Sequence, residues 1–222
     1  MNTMNLIKTA IKSNSDYKKP VEIIDNKNIS VLLVEDKSSR QTVLKKGLID
    51  LNYHVIKNIS FKDSFIEQVE LCNPTVLILS TKVLSDKTLK DLAEIDKTSP
   101  LPIVIFSDSD SPNIIKCAIK AGVSAFIVHE VLPKSLSSII SVASERFKEL
   151  QALRSELRKA QNQLESRKLI ARAKGLIMDQ KQISENQAYE LLRKMAMNQS
   201  CSLAIVAKNI INVCEVLSTT RS

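Results

Sequence analysis

Residues 167–200 read RKLIARAKGLIMDQKQISENQAYELLRKMAMNQS, and their spacing predicts two short helices that hold a basic surface. From Ala188 the apolar residues Ala188, Leu191, Leu192, Met195 and Ala196 recur at i, i+3, i+4, i+7 and i+8, the spacing of one helix face. Just before them, Ser184-Glu-Asn-Gln187 has the form of a capping box: the serine hydroxyl takes one orphan amide of the first turn while Gln187 reaches back to another. In the preceding helix, from about Arg167 to Gln180, Ile170, Ala173 and Ile177 share one side, and Lys168 and Arg172 fall on another. A third amphipathic segment follows, with Leu203, Val206, Ala207, Ile210, Cys214 and Leu217 on one face and Ser200 or Ser202 as its N-cap. Three helices of this length can share one small core.

This run resembles the ANTAR domain, an RNA-binding three-helix module of bacterial transcription antiterminators. The resemblance is carried by Arg167-x-x-Ile170, Ala173-Lys174-Gly175-Leu176-Ile177-Met178, Ala188-Tyr189, Leu192-Arg193 and Ala196-Met197, in the family's order and spacing. It implies an RNA partner, with Arg167, Lys168, Arg172, Lys174, Arg193 and Lys194 as the candidate contacts. Arginine offers a planar fork for phosphates and base edges, whereas lysine acts as a point charge. Gly175 in mid-helix implies that something needs the missing side chain, and close approach by RNA and close packing by another helix explain it equally well. Tyr189 is expected to be buried against the bundle rather than to stack on a base.

The distribution of charge agrees with that division. Residues 1–28 carry 5 basic and 3 acidic groups, residues 29–143 carry 13 and 13, and residues 144–222 carry 14 and 8, so the basicity belongs to the C-terminal third. A surplus of that kind favours nucleic acid over a membrane, since no segment is long and apolar enough to span or anchor. The competing reading of the charge alone is a solvated helical face. Cys72, Cys117, Cys201 and Cys214 form no CxxC pair and sit in apolar contexts typical of buried thiols, which with the absence of a signal-peptide pattern points to a reduced, cytoplasmic protein. Residues 1–28 read as a flexible N-terminal extension.

From Ile29 to Ala143 the pattern is one of strands alternating with helices. Ile29–Val34, Val76–Leu79, Ile103–Phe106 and Ala125–Val128 are short apolar runs, and a further strand is expected near Tyr53 to Lys57. Continuous apolar strands with helices between them argue a parallel sheet covered on both faces. The segment resembles the response-regulator receiver domain, with the flavodoxin-like doubly wound α/β fold, through Val31–Asp36, Pro74–Ser80, Pro102–Ser107, Ala118–Gly122 and Ser124–Val128.

Receivers accept a phosphoryl group on an aspartate at the end of the third strand, beside acidic residues that hold Mg²⁺ and a lysine that pairs with the phosphate. Glu35 and Asp36 match the acidic pair, but the acceptor position is Ser80 and the lysine position is His129. A serine hydroxyl cannot replace a carboxylate in acyl-phosphate formation and removes one oxygen ligand from a metal site. Ser107 matches the Ser/Thr switch position but has no acceptor to report on. Asp86, six residues past Ser80, is too far along the chain to stand in. The resemblance therefore implies a pseudo-receiver, and no cofactor or metal is expected. Glu35 and Asp36 are expected to be solvated carboxylates on a surface loop, with weak binding of a divalent cation as the alternative.

Residues 144–166 form the link, read as a coiled-coil helix in which Leu150, Leu153, Leu157, Ala160 and Leu164 alternate at spacings of 3 and 4. A homodimer is one expectation and packing of the helix onto its own receiver domain is the other. The expected order is thus extension 1–28, receiver-like domain 29–143, coiled-coil helix 144–166 and ANTAR domain 167–222. Within the ANTAR family this order is most similar to the nitrate-assimilation antiterminators, then to the amidase-operon antiterminators. It implies binding of leader-transcript hairpins, no enzymatic activity and control by a ligand-sensing protein partner. Two rivals remain: a DNA-binding response regulator with a helix-turn-helix output, and a hydrolase built on Glu35 and Asp36.

Overall fold

The computed structural model describes residues 28–36, 41–128 and 132–219. His129 and the N-terminal extension, apart from Asn28, lie outside the described residues. The chain divides into two units, residues 1–148 and residues 149–222.

In the first unit, strands β1 (Ser30–Glu35), β2 (His54–Ile59), β3 (Val76–Thr81), β4 (Ile103–Ser107) and β5 (Ala125–Val128) make one parallel sheet. Its order, β2-β1-β3-β4-β5, is that of the flavodoxin-like doubly wound fold. Helices α1 (Gln41–Asp50), α2 (Phe65–Cys72), α3 (Asp86–Thr98) and α4 (Pro112–Lys120) connect the strands. Side chains alternate across the sheet at the period of two that a strand imposes. Leu32, Val34, Leu77, Leu79, Ile103 and Ile105 join one core with Phe65, Val69, Leu92, Ile95 and Ala118 from α2, α3 and α4. Val31, Leu33, Val76, Ile78, Val104 and Phe106 join another with Leu44 and Leu48 of α1 and Leu136, Ile140 and Ala143 of α5 (Leu136–Lys181). Burial on both faces is why β1, β3 and β4 are apolar runs rather than alternating ones.

The strand expected near Tyr53–Lys57 runs from His54 to Ile59. The shift has a local cause. Asn52 takes a left-handed conformation (φ 63°) and the Tyr53 amide donates to the Leu48 carbonyl, so Tyr53 still belongs to the closure of α1. β2 is also an edge strand, with His54 and Lys57 exposed.

The second unit consists of the remainder of α5 with α6 (Glu185–Asn198) and α7 (Leu203–Thr219). Ala173 and Ile177 from α5, Ala188, Leu192 and Ala196 from α6, and Val206, Ala207 and Ile211 from α7 form its buried core. The capping box is present in both halves: Gln187 N donates to Ser184 Oγ at 3.4 Å, and Ser184 N donates to Gln187 Oε1 at 3.0 Å. Ser202 rather than Ser200 caps α7, its Oγ accepting from Ile205 N at 3.3 Å. Ser200 instead turns the chain after α6, with φ 49°.

Residues 144–181, expected as a link followed by a separate short helix, belong to one helix of 46 residues that begins at Leu136. No proline interrupts it, and its single glycine costs only about 1 kcal/mol. The cysteines correct another expectation. Cys117 is exposed and Cys72, Cys201 and Cys214 are partly exposed, so apolar neighbours in sequence did not translate into buried thiols. Among the described residues, no helix is long and apolar enough to cross a membrane.

Candidate nucleic-acid interface and receiver pocket

At the carboxyl end of the sheet, strand register sets Glu35 beside Ser80, and Thr81 beside Ser107. This is where doubly wound sheets place their ligands. Glu35 is the last residue of β1 and only 1% exposed, so it is not the solvated loop carboxylate its sequence position suggested. Its Oε2 accepts a hydrogen bond from Asn58 Nδ2 at 3.0 Å, while Oε1 is buried without a partner. Burial pushes its pKa up to about 7, against smaller lowering effects of the Asn58 hydrogen bond and the Lys45 charge. Asp36 Oδ2 accepts from the Thr81 hydroxyl at 2.9 Å. Ser80 is buried, and the Ser107 hydroxyl donates to the Lys82 carbonyl at 3.2 Å. Asp86 opens α3, next to its N-cap Ser85.

These residues do not fit the Mg²⁺ that receivers hold. The third carboxylate is a serine, one oxygen of Asp36 accepts a hydrogen bond from Thr81, and Glu35 is buried and about half protonated near pH 7. No group of three His, Cys, Asp or Glu side chains among the described residues is placed to hold a metal.

In the second unit the candidate RNA contacts fall into two sets. Arg172 Nη2 donates to Glu215 Oε1 of α7 at 2.8 Å, Lys174 pairs with Glu185 at the start of α6, and Arg193 Nη1 lies 3.6 Å from Glu190 Oε1. Lys174 holds the Glu185 carboxyl below the usual carboxylate range through their hydrogen bond and charge. Among the described residues, Arg167, Lys168 and Lys194 have no ion-pair partner, and all three are exposed. The sequence gives these charges without the pairings, because Glu215 and Glu185 come from other helices.

Tyr189 is 42% exposed, a correction to its expected burial: the core positions of α6 are Ala188, Leu192 and Ala196, and the ring lies one residue outside that stripe. A separate shallow recess of about 630 Å³ on α6 is lined by Gln187, Leu191, Arg193, Lys194 and Met197 among others. Leu150, Leu153, Leu157 and Leu164 are 43%, 57%, 60% and 55% exposed, and Ala160 is exposed too. Among the described residues these four leucines form an exposed apolar stripe along one helix.

The ANTAR domain family model matches residues 158–211, which takes in the last part of α5, all of α6 and the first half of α7. The second unit thus matches the ANTAR domain, and the first has the strand order of the flavodoxin-like doubly wound fold. The match begins nine residues before Arg167, inside the helix that carries the leucine seam. Transcriptional regulatory protein PdtaR of Mycobacterium tuberculosis is 27% identical over 181 residues, covering 82% of this chain and 88% of that protein. The nitrate regulatory protein of Klebsiella oxytoca is 33% identical over 75 residues, 34% of this chain and 19% of that protein. Among solved structures, the signal receiver domain of the putative response regulator NarL from M. tuberculosis is similar at a TM-score of 0.45 and 15% identity, covering 52% of this chain and 95% of that one.

Proposed function

We propose that this receiver–ANTAR chain is a cytoplasmic antiterminator that binds hairpins in a leader transcript and keeps a terminator from forming. The observation that carries this reading is the family match over residues 158–211, on helices that bury Ala173, Ile177, Leu192 and Val206 and leave cations outside. PdtaR, similar along most of its length, bears the name of a transcriptional regulator, which agrees. The working surface comprises Arg167, Lys168 and Lys194 as open cations, Arg172, Lys174 and Arg193 as paired ones, and Tyr189 as a ring available for stacking on an unpaired base. Helix-turn-helix binding to DNA is less well supported, because α7, its only candidate recognition helix, carries Lys208 as its one cation among the described residues.

On this reading the protein performs no chemistry. The receiver unit is a pseudo-receiver that offers a binding surface to a ligand-sensing protein, and the leucine seam joins two copies so that paired RNA elements are met by paired modules. The domain limits that fit this division are 29–143 for the receiver, 144–166 for the coiled coil and 167–222 for the RNA-binding unit. Exposure to a small-molecule phosphodonor such as acetyl phosphate should leave the intact mass unchanged. An acid-labile adduct of one phosphoryl group would overturn the pseudo-receiver assignment.

Arg172→Ala and Lys174→Ala test the cationic face. Each should weaken binding of a two-hairpin leader RNA by about three- to tenfold and make the salt dependence shallower, with helical circular dichroism unchanged. Loss of helical signal would assign both residues to the fold through Glu215 and Glu185, and unchanged RNA affinity would remove them from the interface.

A further inference from the structure

The chain has three glycines, and the fold explains two of them. Gly122 holds φ 92°, and a Cβ there would lie 2.5 Å from the Asp96 side chain. A Cβ on Gly47 would come within 2.9 Å of Leu136 Cδ1. At Gly175 the same atom would meet nothing within 4 Å. Packing against another helix of the chain, one of the two explanations the sequence allowed, therefore has no support among the described residues.

The position of Gly175 narrows the remaining explanation. It lies inside α5, two residues from each of the core residues Ala173 and Ile177, which places it on the opposite side of the helix. Lys168 and Arg172, seven and three residues earlier, share its side and are exposed, and Asp179 follows one turn later. The result is a short length of helix backbone with no side chain over it, beside two cations. A second copy of α5 crossing at this point would set Lys168 and Arg172 against their own counterparts. A polyanion would be attracted by Lys168 and, in place of Glu215, by Arg172.

We propose that the bare backbone at Gly175 is the point of closest approach between α5 and bound RNA, where a sugar–phosphate segment lies directly on the helix beside Lys168 and Arg172. The proposal rests on the RNA-binding reading above and assigns it a contact made by an absent side chain. Any Cβ at this position holds the RNA away from the helix. Alanine at position 175 is therefore favourable for the helix and unfavourable for the complex, an opposition that an ordinary surface glycine does not produce.

The test compares the full-length wild-type chain with Gly175→Ala and Gly175→Gln. The probe is an in vitro transcript with two tandem hairpins from the leader adjoining this gene, and thermal unfolding and sedimentation are measured in parallel. Alanine should raise the melting midpoint of the second unit by about 4–8 °C and weaken RNA binding at least about tenfold, with glutamine weaker still and oligomeric state unchanged. RNA affinity that is unchanged or higher in Gly175→Ala overturns the proposal. A shift in oligomeric state accompanying the loss of RNA binding also overturns it, by assigning Gly175 to a contact between copies. Failure of the wild-type chain to bind the transcript defeats the RNA reading itself, an outcome visible before any variant is measured.

Discussion

Leu153→Lys combined with Leu157→Lys is expected to turn a dimer into a monomer and to lower affinity for a two-hairpin RNA by about 10²-fold or more. Both leucines are more than half exposed, so the substitution removes nothing from the chain's own core and should leave the melting behaviour of each unit intact. Two like charges facing their counterparts across a short seam cost it the little stability that two heptads have. A single-hairpin RNA, which engages one copy, should bind the variant and the wild type alike. That difference separates lost avidity from a damaged interface. Equal loss on both RNAs would place the seam inside the RNA contact, and a wild-type chain that sediments as a monomer would remove the dimer.

Glu35→Gln is expected to stabilise the receiver unit by up to about 3 kcal/mol at pH 8, roughly 10 °C in melting temperature. The sign follows from the direction of the shift. Glu35 has its pKa raised from 4.5 to about 7 in the folded protein, so between those values the native state holds a proton that the unfolded chain has released. Its stabilising contribution is fully present below pH 4.5, falls as pH rises through about 7, and is absent above. Glutamine keeps an acceptor for Asn58 Nδ2 and carries no charge to bury. The difference in stability between wild type and variant should therefore be small near pH 4.5 and largest above pH 7. A difference independent of pH would show that Glu35 is not the group titrating.

The strands legible in the sequence were short apolar runs, most of them fully buried, with β5 at Ala125–Val128 only partly so. β1, β3 and β4 are covered on both faces and announce themselves as apolar runs, while β2, at the edge with His54 and Lys57 exposed, was placed a residue or two early. The second unit was legible through period and capping: Ser184 with Gln187, and the stripe Ala188, Leu192, Ala196, stand in the structure as the spacing implied. Ile210, expected on the apolar face of α7, packs partly buried against this core, and Ile211, which the spacing did not single out, is buried beside it. What sequence cannot supply is the partner across space. Arg172 meets Glu215 from 43 residues away, and the burial of Glu35 depends on neighbours that only the closed sheet assembles. The continuity of α5 was obscured differently, because a change of composition near Arg167 marks a change of role along the helix and not its end.

Specific RNA binding is measured by competition. The full-length chain bound to a labelled two-hairpin leader transcript is challenged, at moderate fixed salt, with unlabelled transcript or with duplex DNA of equal length. Displacement by the RNA at stoichiometric concentrations is expected, with little displacement by DNA at a roughly hundredfold excess. Equal displacement by the two would contradict specific RNA binding, leaving the cations of α5 and α6 as a general polyanion surface.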